Sequence, residues 1–144
     1  MPRSRTMGRM SRGLAPLLLV LNGCGPSGPQ PVPVTGAVTY NDKAVEVMVT
    51  FLPVAETGQV AKGLSDKSGK FSLSTLAPED GAFPGQYRVS VLPAEPPPMP
   101  GPSGDFPPSY RSPLPVKYGN PETSGFTADV REGADNDFTF ALTD

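Results

Sequence analysis

From residue 34 onward, apolar and polar residues alternate along several short segments of this 144-residue chain. In the stretch VEVMVTFL, every second side chain from Val45 to Phe51 is apolar, whereas Glu46 and Thr50 point the other way. Successive side chains of a β-strand point to opposite faces, so this alternation is typical of strands with one buried face. No segment has an apolar stripe at helical spacing. The chain is therefore predicted to be all-β.

Six segments show the alternation clearly, and a weaker one runs from Gln59 to Ser65. Turn-forming residues separate them, such as Asn41-Asp42 and the DKSG run that begins at Asp66. The clear segments are VTGAVTY (34–40), VEVMVTFL (45–52), KFSLST (70–75), QYRVSVL (86–92), GFTADV (125–130) and NDFTFALT (136–143). Short strands with one apolar face each, joined by turns, predict an antiparallel β-sandwich of about seven strands.

Several of these pieces, in their order, resemble the carboxypeptidase-regulatory-like, or transthyretin-like, repeat. That family has a first strand with Gly and Val, a second strand ending in an aromatic residue before Pro, an Asp-x-x-Gly-x-Phe hairpin and a Pro-Gly-x-Tyr strand start. The corresponding residues in this chain are Gly36, Val38, Phe51, Pro53, Asp66, Gly69, Phe71, Pro84, Gly85 and Tyr87. The resemblance covers nearly all of residues 34–142 and implies a transthyretin-like or Ig-like sandwich.

A long proline-rich loop interrupts the strand pattern between residues 93 and 115, and it holds ten of the 20 prolines of the chain. We call this segment the insert. Polyproline segments are extended and lose little entropy on binding, which suits recognition by aromatic grooves. Phe106, Tyr110 and Tyr118 lie in or beside the insert and are the candidate partner contacts. The alternative is a solvated spacer that prevents edge strands from pairing.

The first 23 residues have the features of a signal peptide. Four arginines and no acidic residue precede an apolar run from Leu14 to Leu21, and Met7 is a second start site that leaves the run complete. A cationic start followed by a short apolar stretch directs secretion. The run is too short to span a bilayer, which takes roughly 20 residues in a helix. We expect residues 1–23 to direct export and to be removed.

The single cysteine of the chain, Cys24, follows this run in the stretch LNGC. This stretch resembles the lipobox of bacterial lipoproteins, which has an aliphatic residue three positions before the cysteine and a small residue directly before it. The resemblance implies that Cys24 becomes the lipid-carrying first residue of the mature protein. Two or more acyl chains hold a protein stably on a membrane, whereas one does not. The alternative is a plain secretory signal in which Cys24 has no role.

Residues 24–33 form a Gly/Pro/Ser tether in front of the domain of residues 34–144. Gly25, rather than an aspartate, follows the cysteine, which favours the outer membrane over the inner one under the common sorting rule. Cleavage removes four arginines, leaving eight basic residues against 14 acidic ones, a net charge of −6. Because no basic patch remains, nucleic acid is not an expected partner. The expected partners are the membrane, through lipidated Cys24, and an envelope protein or polysaccharide.

The composition also excludes several kinds of catalysis. Without histidine and with one cysteine, the chain has no Ser-His-Asp or Cys-His site, no His-ligated metal and no multi-cysteine cluster. The DKSG run at Asp66 lacks the longer ligand series and the closing Glu of a calcium loop. A second acidic group, Asp135-Asn136-Asp137 near Glu132, is interpreted as a turn. We predict no catalytic residues, no metal and no cofactor.

Together these features predict a non-enzymatic, lipid-anchored cell-envelope protein whose β-sandwich serves protein interaction or a structural role. The anchor confines the domain to a surface and so raises the effective concentration for weak contacts. The alternative is a carbohydrate-binding envelope module, because related sandwiches bind polysaccharides. Such sites commonly use exposed aromatic side chains, and this chain has no Trp.

Overall fold

The computed structural model describes residues 25, 28–96, 98–105 and 111–144. These residues form two β-sheets and one short 3-10 helix, η1. The elements are β1 (Thr35–Tyr40), β2 (Lys43–Ala44), β3 (Val47–Pro53), β4 (Ala61–Leu64), β5 (Lys70–Ser72), β6 (Gly85–Pro93), η1 (Val116–Gly119), β7 (Phe126–Val130) and β8 (Asp137–Leu142). The predicted all-β sandwich is confirmed.

The two sheets differ in how their strands run. One has the order β4-β3-β6-β7 and is antiparallel throughout. In the other, β2 and β5 pair antiparallel with one side of β1, and β8 pairs with the opposite side. The β1–β8 pair is parallel, from Thr35 opposite Asp137 to Tyr40 opposite Leu142, which departs from a purely antiparallel sandwich. Parallel neighbours need a long connection, and here the chain builds the other sheet between them.

Each predicted strand has a counterpart, including the weak one, which becomes β4. The buried positions follow the predicted alternation: Val47, Val49 and Phe51 of β3 have no exposed surface. The two-residue strand β2 was not predicted. It follows a turn in which Asn41 and Asp42 both have positive φ, 48° and 63°. Positive φ at both residues is typical of a two-residue hairpin turn, and the twist of such a turn matches the twist of the flanking strands.

Aromatic rings fill the space between the sheets. The ring centroid of Phe51 lies 5.7 Å from that of Phe138 and 6.0 Å from that of Phe140. Aromatic pairs at these separations stabilise a core beyond their area burial. A Cβ at Gly36 would lie 2.1 Å from the carbonyl oxygen of Phe138 and 2.6 Å from the Phe71 ring. Glycine at this position therefore allows the Phe71 ring to pack directly on β1.

The sandwich has two ends, which we name by what lies there. The N-terminal pole consists of Val32–Pro33 and the turn 131–136. The insert pole consists of the turn 41–42, Leu92–Pro93 at the end of β6, η1 and residues 143–144. At the N-terminal pole, the Thr35 amide donates to the carbonyl of Asn136 over 3.0 Å. At the insert pole, the Tyr118 hydroxyl donates to the carbonyl of Thr143 over 3.0 Å.

Strand β6 connects the two poles. Its first residue, Gly85, pairs with Val130 next to the turn 131–136, and its last, Pro93, pairs with Val47. The strand has nine residues, which corresponds to roughly 30 Å. The chain enters the sandwich at the N-terminal pole, whereas the insert leaves and rejoins it at the opposite end.

Candidate functional site: the insert pole

Of the four predicted site residues, Tyr118 lies within the residues that the structure describes. Cys24, Phe106 and Tyr110 lie outside the described residues. Tyr118 is 5% exposed, and its ring stacks on Phe126 with centroids 5.4 Å apart and planes 9° apart. The ring of Tyr118, named as a candidate partner contact, therefore belongs to the core and offers little surface to a partner.

The Tyr118 hydroxyl ties η1 to the end of β8. It accepts a hydrogen bond from the Thr143 amide over 2.9 Å and donates one to the Thr143 carbonyl over 3.0 Å. The bond from the Thr143 amide lowers the pKa of Tyr118. A buried tyrosine usually finds a partner for its polar end, and here this partner fixes the point at which the insert rejoins the sandwich.

Asp144 gathers a second set of contacts at the insert pole. The Tyr40 hydroxyl donates to its Oδ1, and the Asn41 Nδ2 donates to its Oδ2 over 3.2 Å. The Lys117 Nζ donates to its backbone carbonyl over 3.5 Å. The bond from Tyr40 is the main reason why the pKa of Asp144 is lowered and the pKa of Tyr40 is raised. These contacts join the 41–42 turn, η1 and the end of β8.

The insert is exposed between fixed ends. Its described residues from Glu95 to Asp105 are all exposed, and Met99 is 90% exposed. At its return, Leu114 is 4% exposed, and the Ser112 hydroxyl donates to the Leu114 carbonyl over 2.7 Å. The insert therefore presents proline and Met99 to solvent while its return is held in the core.

A partly exposed apolar row crosses the outer face of the β4-β3-β6-β7 sheet at the insert pole. It consists of Leu64, Met48 and Leu92, and Met48 pairs with both of the others across neighbouring strands. Leu64 is 57% exposed and Leu92 is 48% exposed. A Cβ on Gly119 would lie 2.9 Å from Leu92 Cδ2, so η1 lies against the row. Sequence reasoning missed the row, although Leu92 directly follows the buried Val91 and so breaks the alternation.

The DKSG run forms a closed turn around one carboxylate oxygen. Asp66 Oδ1 accepts hydrogen bonds from the Ser68 amide (2.8 Å), the Ser68 hydroxyl (2.6 Å) and the Lys70 amide (3.1 Å). The Ser68 hydroxyl contributes most to lowering the pKa of Asp66. Gly69 takes a φ of 78°, which the turn requires. Within the described ranges, no group of three or more His, Cys, Asp or Glu side chains is placed to hold a metal ion.

In the second acidic group, Asp135-Asn136-Asp137, the side chain of Asn136 holds the turn together. Asn136 is 7% exposed. Its Oδ1 accepts from the Arg131 amide over 3.0 Å, and its Nδ2 donates to the Arg131 carbonyl over 2.9 Å. The side chain of Asn136 thus takes the place of a neighbouring strand at the end of β7 and gives the turn 131–136 a structural role.

The described residues define a β-sandwich domain whose exposed proline-rich segment lies at one pole. Exposed apolar side chains also lie away from that pole, among them Val54 and Leu76. No protein-family model, curated protein or solved structure matches the chain. Across the residues that the structure describes, no helix has the length and apolar character needed to cross a membrane.

Proposed function

We propose that this chain is a non-enzymatic, lipid-anchored cell-envelope protein whose transthyretin-like sandwich presents the insert to another envelope protein. The observation that carries the proposal is the separation of the two poles. The tether joins the domain at the N-terminal pole, and the insert emerges at the other end of β6. Anchoring through Cys24 on the outer membrane therefore leaves the insert uncovered.

The tether sets how far the domain can move from the membrane. Its ten residues, 24–33, include four prolines, which favour a semi-extended segment reaching at most roughly 31 Å at about 3.1 Å per residue. A tether of this length holds the domain off the membrane but keeps it close to the surface. Confinement of this kind raises the effective concentration for weak contacts with neighbouring envelope proteins.

The chemistry of the insert supports recognition by an aromatic-lined groove on the partner. Exposed prolines restrict the backbone before binding, so less conformational entropy is lost when the segment is bound. Leu114 and Tyr118 fix the return of the insert, which limits the entropy loss further. Met99 adds an adaptable apolar side chain. We retain Phe106 and Tyr110 as the proposed aromatic contacts with the partner.

The test is capture from native membranes with matched variants. We expect mass spectrometry to show acyl chains on Cys24 and fractionation to show that Cys24→Ser releases the protein from the membrane. Wild-type protein should recover a partner that is lost when residues 98–105 are replaced by Gly and Ser at the same length. The control is an unchanged urea midpoint in that variant. Recovery of the same partner without the native insert sequence would contradict the proposal.

One feature favours the carbohydrate-binding alternative. A groove of about 540 Å³ lies on the outer face of the β1 sheet, and hydroxyl-bearing side chains such as Thr35, Ser72 and Thr139 line it. The aromatic side chain among its described lining residues, Phe71, is 4% exposed and offers little stacking surface. Binding to isolated cell-wall polysaccharide that Thr139→Lys abolishes would support this alternative.

A further inference from the structure

Strand β8 has a neighbouring strand on one side only within the part of the chain that the structure describes. The even-numbered residues of β8 direct their backbone N–H and C=O groups towards β1. The carbonyls of Asn136 and Leu142, for example, accept hydrogen bonds from the amides of Thr35 and Asn41 over 3.0 and 2.9 Å. Bonding directions alternate along a strand, so the odd-numbered residues direct their N–H and C=O groups away from β1. These residues are Asp137, Thr139 and Ala141.

Other sheet edges are partly covered or shorter, and β7, with five residues, is covered only just past its end. On the outer side of β4, Lys62 exchanges amide–carbonyl bonds of 3.0 and 2.8 Å with Ser74. At the end of β7, the Asn136 side chain binds both backbone groups of Arg131. Strands β2 and β5 have two and three residues. Natural sheets usually protect their edges in such ways, and β8, with six residues, is the longest edge strand among the described strands.

The open part of β8 is bounded at both ends. Beyond Ala141, the Thr143 amide and carbonyl are already bonded to the Tyr118 hydroxyl over 2.9 and 3.0 Å. Before Asp137, the chain leaves the strand for the turn 131–136. We call residues 137–141 the β8 edge. Its side chains on the outer face are exposed, and the edge contains neither proline nor glycine.

We propose that the β8 edge pairs in an antiparallel manner with the β8 edge of a second copy of this chain, about a two-fold axis at Thr139. This register places Thr139 opposite the partner's Thr139, and Asp137 opposite the partner's Ala141. Each outward-facing residue then exchanges a pair of hydrogen bonds across the interface. Facing threonines are a favourable cross-strand pair, and a self-complementary patch is what a two-fold dimer requires.

Charge and the existing contacts favour this register over those centred on Asp137 and Ala141. An axis at Asp137 would place two carboxylates directly opposite each other, which is destabilising. An axis at Ala141 would require the backbone of Thr143, which Tyr118 already occupies. With the axis at Thr139, the two Asp137 residues lie roughly 13 Å apart along the strands. This separation exceeds the Debye length of about 8 Å at physiological ionic strength.

The proposed dimer is compatible with anchoring but does not depend on it. Antiparallel pairing places the two N-terminal poles at opposite ends of the dimer. Both tethers, each reaching at most roughly 31 Å, can meet one membrane when the strands lie along it. The two insert poles then present two separate contact surfaces, and a dimer of this form binds a repeated partner bivalently.

The first test measures mass in solution for the chain carrying Cys24→Ser, which needs no anchor. Sedimentation equilibrium should show the apparent mass rising towards twice the monomer value as concentration increases. Thr139→Pro removes an outward-facing amide without removing a bond to β1, and should weaken association about tenfold or more. The matched control is Thr127→Pro, at a position of β7 whose amide points away from β6. This variant should still dimerise. A chain that stays monomeric at its highest soluble concentration, or a dimer unaffected by Thr139→Pro, would overturn the proposal.

A cysteine cross-link keeps the proposal testable if the proline variant does not fold. Bonded antiparallel pairs have Cα atoms about 5.5 Å apart, within the range of a disulfide. In the Cys24→Ser chain, Thr139→Cys should therefore form covalent dimers under mild oxidation, and Thr127→Cys should not. Equal cross-linking of the two variants, or none at position 139, would place the contact elsewhere. Neither outcome bears on lipidation or on the insert, so the failure of this proposal is distinguishable from failure of the proposed function.

Discussion

The aromatic core and the insert pole use the same kinds of side chain but are held together differently. In the core, Phe51 and Phe140 meet because each occupies an inward position of an alternating strand. At the insert pole, Tyr118 and Tyr40 are positioned by polar partners as well, and Tyr40 binds a residue 104 positions away. Alternation determines which rings enter the core, whereas the insert pole depends on hydrogen bonds between distant segments.

The largest effect should come from removing a ring from the centre of the core. Phe51 has no exposed surface, so Phe51→Ala should lower the free energy of unfolding by about 3–5 kcal/mol through lost burial and a cavity. The urea or guanidinium midpoint measures this change. The control is Leu52→Ala, at the neighbouring position on the outer face, where the side chain is 38% exposed. Similar losses for the two variants would contradict the assigned faces of β3.

A smaller loss should follow from adding one methyl group to the core. Gly36→Ala would bring a Cβ against the Phe138 carbonyl oxygen and the Phe71 ring. Overpacking of this kind costs about 1–3 kcal/mol, which the shift in denaturation midpoint would show. Gly101→Ala in the insert is the control, because its nearest neighbour, the Asp105 carbonyl oxygen, lies 3.7 Å from the added atom. A stability of Gly36→Ala equal to that of the wild type would refute the close packing of Phe71 on β1.

The insert pole should respond to the loss of a single hydroxyl. Tyr118→Phe keeps the ring stacked on Phe126 but removes both bonds to Thr143, which should lower the free energy of unfolding by about 1–2 kcal/mol. Hydrogen exchange should show faster exchange of the Thr143 amide, with little change in the core. Tyr40→Phe, at a more exposed tyrosine, should have the smaller effect. If exchange accelerates equally in the core, the two regions are not independent.

The smallest effect should be a response of the insert pole to acid. Because the Tyr40 hydroxyl lowers the pKa of Asp144, the folded state binds this proton less readily than the unfolded state. The stabilisation is present above the ordinary pKa of 3.8 and is lost as the pH falls through the lowered value. Carboxyl-carbon NMR of Tyr40→Phe should show the pKa of Asp144 rising towards its ordinary value. An unchanged titration would remove Tyr40 as the cause.

Much of the fold could be predicted because burial follows a local pattern. The alternation around Val47, Val49 and Phe51 indicates a half-buried strand without any knowledge of its neighbours. The same pattern does not say which strands are adjacent or in which direction they run. The parallel β1–β8 pair was therefore not predicted, and the two-residue strand β2 is too short to show a period.

The candidate site was predicted less well, for a physical reason. Proline content identified the insert, and Tyr118 was named as a candidate partner contact because it lies beside the insert. The burial of Tyr118 depends on Phe126 and on the Thr143 backbone, which only the tertiary fold brings near. The partly exposed row of Leu64, Met48 and Leu92 likewise becomes visible only when the strand register is known.

The most direct test of the central claim is site-specific photo-cross-linking of the lipidated protein in native membranes. A photoreactive residue at Met99 in the insert is compared with one at Ala134 in the N-terminal pole, both exposed positions. We predict a discrete protein adduct from position 99, no adduct from position 134, and loss of the first in Cys24→Ser. An adduct from position 134 with none from position 99 would contradict the account, because the partner would then meet the pole that carries the tether.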